Sequence, residues 1–318
     1  MSEAMSPRLA PRLAPRLAYV ALAVREADRV AAVFEERLGL ARHRIAMGTG
    51  EAATAMAVGD CALLLLPLGH AALAGDTEPG VHHLGFEHAD PEGWLRRLKL
   101  AATAGASLVN GVAQAWLDPA ATLGVRLRVS KPLGLPGGAG TLVERIDHLG
   151  VASGDNRKAV ALYTGTMGFP LESQQTDLEV VTVIESFTSD KYGVVYRNRP
   201  PEPVGGLRVA FITVGDCELE FLENFDPRHS AEVRHDAAGT TKQDQGAIAR
   251  YVARRGPGLH HLALKTPDID RALAALDGAG LRMIDRSGRP GSRRARIGFV
   301  HPSALGGVLL HFVERDPL

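Results

Sequence analysis

The chain reads Gly-Leu-His-His-Leu-Ala-Leu at residues 258–264 and Gly-Gly-Val-Leu-Leu-His-Phe-Val-Glu at residues 306–314. Both stretches are rich in the aliphatic residues that are typical of buried strands. Residues two apart share one face of a strand, so His261 and His311 each lie on a face with aliphatic neighbours. Imidazoles on such a face need a partner, and a shared metal ion supplies one for both.

Helical and strand patterns surround these stretches and recur earlier in the chain. Apolar spacing predicts a helix from Pro267 to Leu276, and Arg296 to Val300 reads as a strand. Near the start, Arg16 to Val24 reads as a strand, followed by a helix of about Glu26 to Leu38. A helix of about Asp155 to Met167 is its later counterpart, and both end at a glycine that suits the left-handed cap.

Several segments of the first half recur in the second half in the same order, which indicates two tandem copies of one domain. The matching pairs are 16–24 with 145–152, 58–64 with 214–220, 80–86 with 258–264, and 124–129 with 307–312. We therefore predict a flexible tail at 1–15, a first domain at 16–130, a linker rich in proline and glycine at 131–142, and a second domain at 143–318.

Composition excludes several classes of protein. Lys+Arg and Asp+Glu both number 36, so net charge indicates neither a nucleic-acid nor a membrane partner. No apolar run approaches the roughly 18–20 residues of a membrane span. Cys61 and Cys217 do not suggest a disulfide framework, and the basic start lacks the apolar core of a secretory signal. We expect a cytoplasmic protein, for which the sequence is compatible with a homodimer.

Residues 258–314 resemble the C-terminal module of methylmalonyl-CoA epimerase, in the vicinal oxygen chelate superfamily of glyoxalases and extradiol dioxygenases. The resemblance rests on Gly-Leu-His-His-Leu-Ala (258–263), Asp268-Ile269-Asp270, residues 296–302 and Gly307-Val308-Leu309-Leu310. It implies an α+β fold of tandem domains, each made of paired βαβββ modules whose mixed sheet curls around a central site. The layout with two domains resembles that of cyclitol-ketone epimerases and 4-hydroxyphenylpyruvate dioxygenase.

The resemblance also implies a ligand set for one divalent metal ion: His148, Glu220, His261 and His311. At the fourth position the family usually has glutamate, and this chain has histidine. Zinc is the first choice for such donors, with manganese, cobalt, nickel or iron as alternatives.

The repeat provides an internal control for this ligand set. The equivalent positions in the first half are Tyr19, Leu64, His83 and Arg128. Only the histidine is retained, leucine cannot ligate, and arginine would repel a cation. We therefore predict that the first half is a metal-free structural partner and that the second half holds one site.

Three functions are compatible with this site. The first is an epimerase that moves a proton next to the carbonyl of a small ketone, with a sugar-like or C7-cyclitol ketone of the 2-epi-5-epi-valiolone type as the specific expectation. The second is a non-haem iron dioxygenase of the 4-hydroxyphenylpyruvate or extradiol type, although His311 replaces the carboxylate of that iron triad. The third is a small-molecule binding protein like those of bleomycin resistance, which lack the ligands.

The general base is predicted from position only. Glu218 lies two residues before Glu220 and shares its strand face, so it is the first candidate, and Glu185 is the second. The long polar insertion at 226–258 is either a solvated excursion or a functional segment, namely a lid or a contact to a charged substrate group, with a helix expected near 243–254. Residues 179–197 read as a strand pair turning near Asp190.

Overall fold

A computed structural model of the chain describes residues 14–48, 50–181, 184–189, 191, 193–198, 200–226, 238–239 and 246–315. Nearly all of the predicted tail lies outside these residues, as does most of the polar insertion. In the described ranges no helix has the length and apolar character needed to cross a bilayer. Each half of the chain builds one large mixed sheet, so the predicted α+β fold of tandem sheets is confirmed. The exact domain boundaries remain a prediction.

The first sheet has eight strands in the order β2-β3-β4-β1-β5-β8-β7-β6. Two βαβββ modules meet where β1 pairs antiparallel with β5, and each module adds a parallel pair, β1 with β4 and β5 with β8. Its elements are β1 (Arg16–Val24), α1 (Ala27–Leu38), β2 (Arg42–Ala46), β3 (Ala52–Val58), β4 (Cys61–Pro67), β5 (Gly80–Glu87), α2 (Pro91–Leu98), β6 (Ala102–Val109), β7 (Val112–Leu117) and β8 (Leu127–Ser130).

The second sheet repeats this plan in the order β15-β10-β13-β14-β9-β16-β19-β18-β17. The predicted strand pair near Asp190 is a separate two-stranded sheet, β11 with β12. The elements are β9 (Arg145–Ala152), α3 (Asn156–Val160), β10 (Leu171–Val181), β11 (Ile184–Ser189), β12 (Gly193–Asn198), β13 (Glu202–Val214), β14 (Cys217–Phe225), β15 (Ala238–Gly239), α4 (Ala247–Arg255), β16 (Gly258–Lys265), α5 (Ile269–Asp277), β17 (Arg289–Pro290), β18 (Arg296–Val300) and β19 (Leu310–Glu314).

Helix α1 forms where its apolar spacing predicts it. Val30, Phe34 and Leu38 are fully buried because they recur four residues apart on the face that packs on the sheet. Gly39 ends the helix at φ 73°, and its N–H donates to the last turn. The counterpart after β9 differs, since α3 continues as a π-helix over Ala161–Thr166.

The strand registers confirm the repeat residue by residue. On the parallel neighbour β4, the partner of Tyr19 lies two residues before Leu64. On β14, the partner of His148 likewise lies two residues before Glu220. Positions matched by the sequence repeat therefore occupy the same places in the two sheets.

The two sheets pack against each other through one continuous hydrophobic core. Phe86 of the first half meets Phe169 of the second edge to face, with ring centroids 5.7 Å apart. The buried Tyr163 hydroxyl donates to the Thr122 carbonyl across the same boundary at 3.0 Å. Apolar surface of each half is thus covered by the other.

Candidate metal centre

Four adjacent strands of the second sheet bring the four predicted ligands together. His148 lies on β9, Glu220 on β14, His261 on β16 and His311 on β19, and the sheet order is β14-β9-β16-β19. All four side chains are buried on one face of the sheet, each with 4 to 7% of its surface exposed. Neighbouring strands lie about 4.8 Å apart, so side chains on facing positions can share one ion.

The donor atoms have the spacing of a metal site. One ring nitrogen from each of the three imidazoles lies within 4.8 Å of the others. Glu220 Oε2 lies 3.3 Å from His148 Nε2 and 3.4 Å from His261 Nε2. A tetrahedron with metal–ligand distances of about 2.0–2.1 Å has edges of about 3.3–3.4 Å, which matches these separations.

Several ring nitrogens of the cluster also have no hydrogen bond, although Glu220 lies within ion-pair distance of two of them. Among the described residues, no hydrogen-bond partner reaches Nε2 of His148, Nε2 of His261 or either nitrogen of His311. Buried polar atoms are normally satisfied, and an unpaired one is costly. A divalent ion would satisfy three of these four nitrogens at once, so the residues fit the group.

The pKa shifts keep His261 and His311 neutral, as metal ligands must be, and link the protonation of His148 to the charge of Glu220. Burial and the neighbouring imidazoles hold the pKa of His311 well below its usual value, and burial also lowers the pKa of His261, so both rings are neutral. Burial opposes charge on His148, but the carboxylates of Glu220 and Asp147 outweigh it and raise the pKa to about 9. Burial alone would raise the pKa of Glu220, yet His148 holds it well below its usual value.

Asp147 fixes the ring of His148, and sequence reasoning missed it. Its carboxylate lies 2.8 Å from His148 Nδ1 and is clamped by Arg315 at 2.7 and 3.1 Å. This bond leaves Nε2 of His148 facing Glu220. A carboxylate behind a liganding histidine is a common supporting arrangement. Adjacent residues of a strand point to opposite faces, so strand alternation does not predict that Asp147 contacts His148. The only signal in the sequence is that an acidic residue directly precedes the histidine.

Gly150 makes room for His261. A Cβ added at Gly150 would lie 2.0 Å from Cε1 and 2.2 Å from Nδ1 of the imidazole. The ring therefore rests directly on the backbone of β9, its cross-strand partner. Its Nδ1 lies 3.0 Å from Nδ1 of His260, which leaves Nε2 for the centre.

A small cavity of about 40 Å³ adjoins the four ligands. Phe211 and Phe299 line it, and so do Ser292 and Ala295 of the segment Gly291–Ala295, which joins β17 to β18 and is called the roof segment below. Arg293 of the roof segment stacks its guanidinium 3.6 Å from the ring centre of Phe211. The roof segment therefore forms part of the wall of the candidate site.

The two predicted bases differ in where they lie. Glu218 is on β14, and both of its carboxylate oxygens accept hydrogen bonds from Arg293, at 3.0 and 2.5 Å. Glu185 lies on β11, outside the nine-stranded sheet, and its side chain is outside the described residues.

The first sheet fills the equivalent place with other side chains. The hydroxyl of Tyr19 donates to Gln114 Oε1 at 3.1 Å, and its ring meets His83 edge to face. Arg128 is 2% exposed, stacks 3.8 Å from the ring centre of Trp116 and donates to a backbone carbonyl at 2.6 Å. Leu64 is also fully buried there. A buried guanidinium where a cation would have to lie supports the predicted metal-free first half.

Comparison with known proteins gives one family match. Residues 147–299 match the model described as the Glyoxalase/Bleomycin resistance protein/Dioxygenase superfamily. The matched range begins at Asp147 and ends at Phe299, and so contains three of the four candidate ligands.

Two relatives and one solved structure illustrate the similarity. The mitochondrial methylmalonyl-CoA epimerase of Bos taurus is 25% identical over 221 residues, covering 69% of this chain and 98% of the relative. The uncharacterized protein YqjC of Bacillus subtilis is 23% identical over 172 residues, covering 54% and 93%. A variant of 4-hydroxymandelate synthase from Streptomyces coelicolor has a TM-score of 0.60 at 14% identity, covering 95% of this chain and 93% of that one. That last likeness concerns the fold alone.

Proposed function

Because residues 147–299 match the model of the Glyoxalase/Bleomycin resistance protein/Dioxygenase superfamily, we propose that this chain is a metal-dependent epimerase. It would move a proton at a carbon next to a ketone. The observation that carries the proposal is the cluster of three buried imidazoles with unpaired nitrogens around one carboxylate. The similarity to methylmalonyl-CoA epimerases supports it.

His148, Glu220, His261 and His311 would hold one divalent ion, with zinc as the first choice. When bound, the ion would supply Lewis acidity to a ketone oxygen and a neighbouring hydroxyl oxygen. Asp147 holds the His148 ring in register, and Gly150 sets the position of His261. The aromatic wall of Phe211 and Phe299 limits the access of water to the reacting carbon.

Glu218 is the proposed base, with Glu185 as the second candidate. The carboxylate would take the proton of the C–H bond beside the ketone, and the electron pair of that bond would pass into the carbonyl as an enediolate forms. Return of a proton to the opposite face inverts the carbon. In the structure Glu218 is paired with Arg293, so it must first leave that guanidinium.

Four oxygen or nitrogen donors from the chain leave at most two positions in a six-coordinate ion. A chelating hydroxyketone would fill both, which would favour proton transfer over chemistry that needs bound oxygen. The proposed substrates are sugar-like or C7-cyclitol ketones, with 2-epi-5-epi-valiolone as the first compound to test.

The test is solvent isotope incorporation without oxygen. In heavy water, under anaerobic conditions and without added cofactor, the zinc-loaded protein should place one deuterium at the inverted carbon, as NMR would show. His148→Ala and His261→Ala should lower both zinc content and turnover, whereas Tyr19→Phe should change neither. Turnover that requires oxygen and puts oxygen atoms into the product would replace this proposal with a dioxygenase.

A further inference from the structure

The cavity beside the metal centre is small for a ketone substrate. Its volume of about 40 Å³ has room for a few water molecules, whereas sites for small molecules are usually about 300–1,000 Å³. Part of its wall is the roof segment, Gly291–Ala295, of which Ser292 and Ala295 line the cavity directly. A movement of this wall would enlarge the cavity beside the ligands.

The roof segment has an unfavourable backbone. Arg293 and Arg294 are both left-handed, at φ 54° and 58°. Residues other than glycine rarely adopt this region, and two in succession persist only when side-chain contacts hold them. Two backbone hydrogen bonds within the segment, from Gly291 N–H to the Ala295 carbonyl and from Ala295 N–H to the Ser292 carbonyl, hold this conformation together with contacts to the rest of the site.

Those ties converge on Arg293. Its guanidinium donates to both oxygens of Glu218 and to Glu172, the latter at 2.7 Å, and it stacks on Phe211. Two other ties are seen in the described residues: Gln175 donates to the Ser292 hydroxyl at 3.0 Å, and Ala295 is buried beside Ala263, Ile297 and Val313. One side chain thus fastens the segment to β10, β13 and β14.

The guanidinium also has an unused donor. Nε of Arg293 is buried and has no hydrogen-bond partner in the described part of the chain. Arginine presents donors in a planar fork that suits carboxylate and phosphate groups. Arg293 does not itself line the cavity, so an oxyanion entering there would reach this donor, and compete with Glu218 for the others, once the roof segment shifts.

We propose that the roof segment is a gate over the metal centre, and that Arg293 binds an anionic substituent of the substrate and thereby frees Glu218. The inference rests on the proposed function and narrows its substrate to a hydroxyketone bearing a carboxylate or phosphate, such as a phosphate ester of a cyclitol ketone. Arg293 stays protonated throughout. The substrate oxyanion replaces the Glu218 carboxylate in its hydrogen bonds, and the freed carboxylate accepts the C–H proton.

Two variants test the gate. Arg293→Gln removes the fastening, and Arg294→Gln is its matched control, because Arg294 is the next residue, is exposed and has the same backbone conformation. Zinc removal by the neutral chelator 1,10-phenanthroline should be at least about tenfold faster in Arg293→Gln than in the wild type. In Arg294→Gln it should stay within about twofold. Equal rates in the two variants would overturn the gate.

Two ligands test the anion assignment. Dihydroxyacetone phosphate and dihydroxyacetone share a hydroxyketone and differ in the phosphate. Charged hydrogen bonds of about 1.5–3 kcal/mol correspond to a loss of about 10- to 150-fold, so calorimetry should show this loss for the phosphate ester in Arg293→Gln. Binding of dihydroxyacetone should change by less than about twofold. A wild type that does not prefer the phosphate ester, or equal losses for both ligands, would overturn the assignment.

Failure of the proposed metal-dependent function can be distinguished from failure of the gate. If the wild type takes up no zinc, the metal centre is refuted, and the gate is then judged by amide hydrogen exchange of residues 289–297. Faster exchange in Arg293→Gln than in Arg294→Gln supports the gate, and equal exchange refutes it.

Discussion

Replacing Gly150 by alanine would test whether the imidazole of His261 must occupy the place that the structure gives it. The added Cβ would lie 2.0 Å from Cε1 and 2.5 Å from Nε2 of that ring. Carbon atoms in contact normally lie about 3.5–4.0 Å apart, so the ring must retreat by about 1.5 Å. Metal ligands tolerate displacements of only about 0.2 Å.

The two consequences of this change have different magnitudes. Overpacking should lower the free energy of unfolding by about 1–3 kcal/mol. Zinc sites with four ligands bind with about 10–16 kcal/mol, or about 3 kcal/mol for each ligand. Loss of His261 from the set should therefore weaken zinc binding about a hundredfold or more.

The first sheet offers a matched control. A Cβ added at Gly85 would lie 1.9 Å from the ring of Tyr19, so Gly85→Ala creates a similar overlap away from the metal centre. Urea unfolding should show comparable losses of stability in the two variants. Zinc titration by calorimetry should show the affinity loss in Gly150→Ala alone.

One result would refute the reasoning. If Gly150→Ala is folded and binds zinc as tightly as Gly85→Ala and the wild type, then His261 is not a ligand. The unpaired nitrogens of the cluster would then need a different explanation.

Three further predictions concern parts of the chain around this centre. Asp147→Asn should weaken zinc binding about 10- to 100-fold by calorimetry, because the His148 ring loses its carboxylate partner; unchanged affinity would contradict that role. Burial raises the pKa of Cys61 to about 12, so this thiol ionises above about pH 9 only in the unfolded chain. The free energy of unfolding should therefore fall from about pH 9 towards 12, and less steeply in Cys61→Ala; equal slopes would contradict this. Residues 141–318 alone should aggregate in light scattering, because they expose the core surface that the first half covers; a soluble, fully active fragment would show that the first half is dispensable.

Apolar spacing along the chain predicted much of the fold, because the strands and helices themselves are determined by neighbouring residues. The strands Arg16–Val24 and Arg296–Val300 have the predicted bounds, since continuous apolar runs end there at charged residues or turns. The repeat predicted the register, because equivalent positions in tandem domains must occupy equivalent places in the sheets. The π-helix after α3 was not predicted, because its extra residue per turn leaves no mark in the apolar spacing.

The candidate ligands could be predicted, but their supports could not. The resemblance named His148 and its three candidate partners from the sequence alone. Arg293 reaches Glu218 across 75 residues of chain, and the clamp of Arg315 on Asp147 spans 168. Such contacts depend on how the sheet closes on itself, and no period of 2 or 3.6 residues encodes that closure.

The two halves share one architecture but differ in the charge of the side chains at the equivalent buried positions. Around Glu220 in the second sheet, and at His83 in the first, the described residues leave buried ring nitrogens without hydrogen bonds. In the first, the position of His311 is taken by Arg128, whose permanent charge is balanced by aromatic stacking and a backbone carbonyl. A buried cation that is already satisfied leaves neither charge nor space for a second one. A metal site could return there only if Arg128 and Leu64 were both replaced by ligands, so single substitutions in the first sheet should not create metal binding.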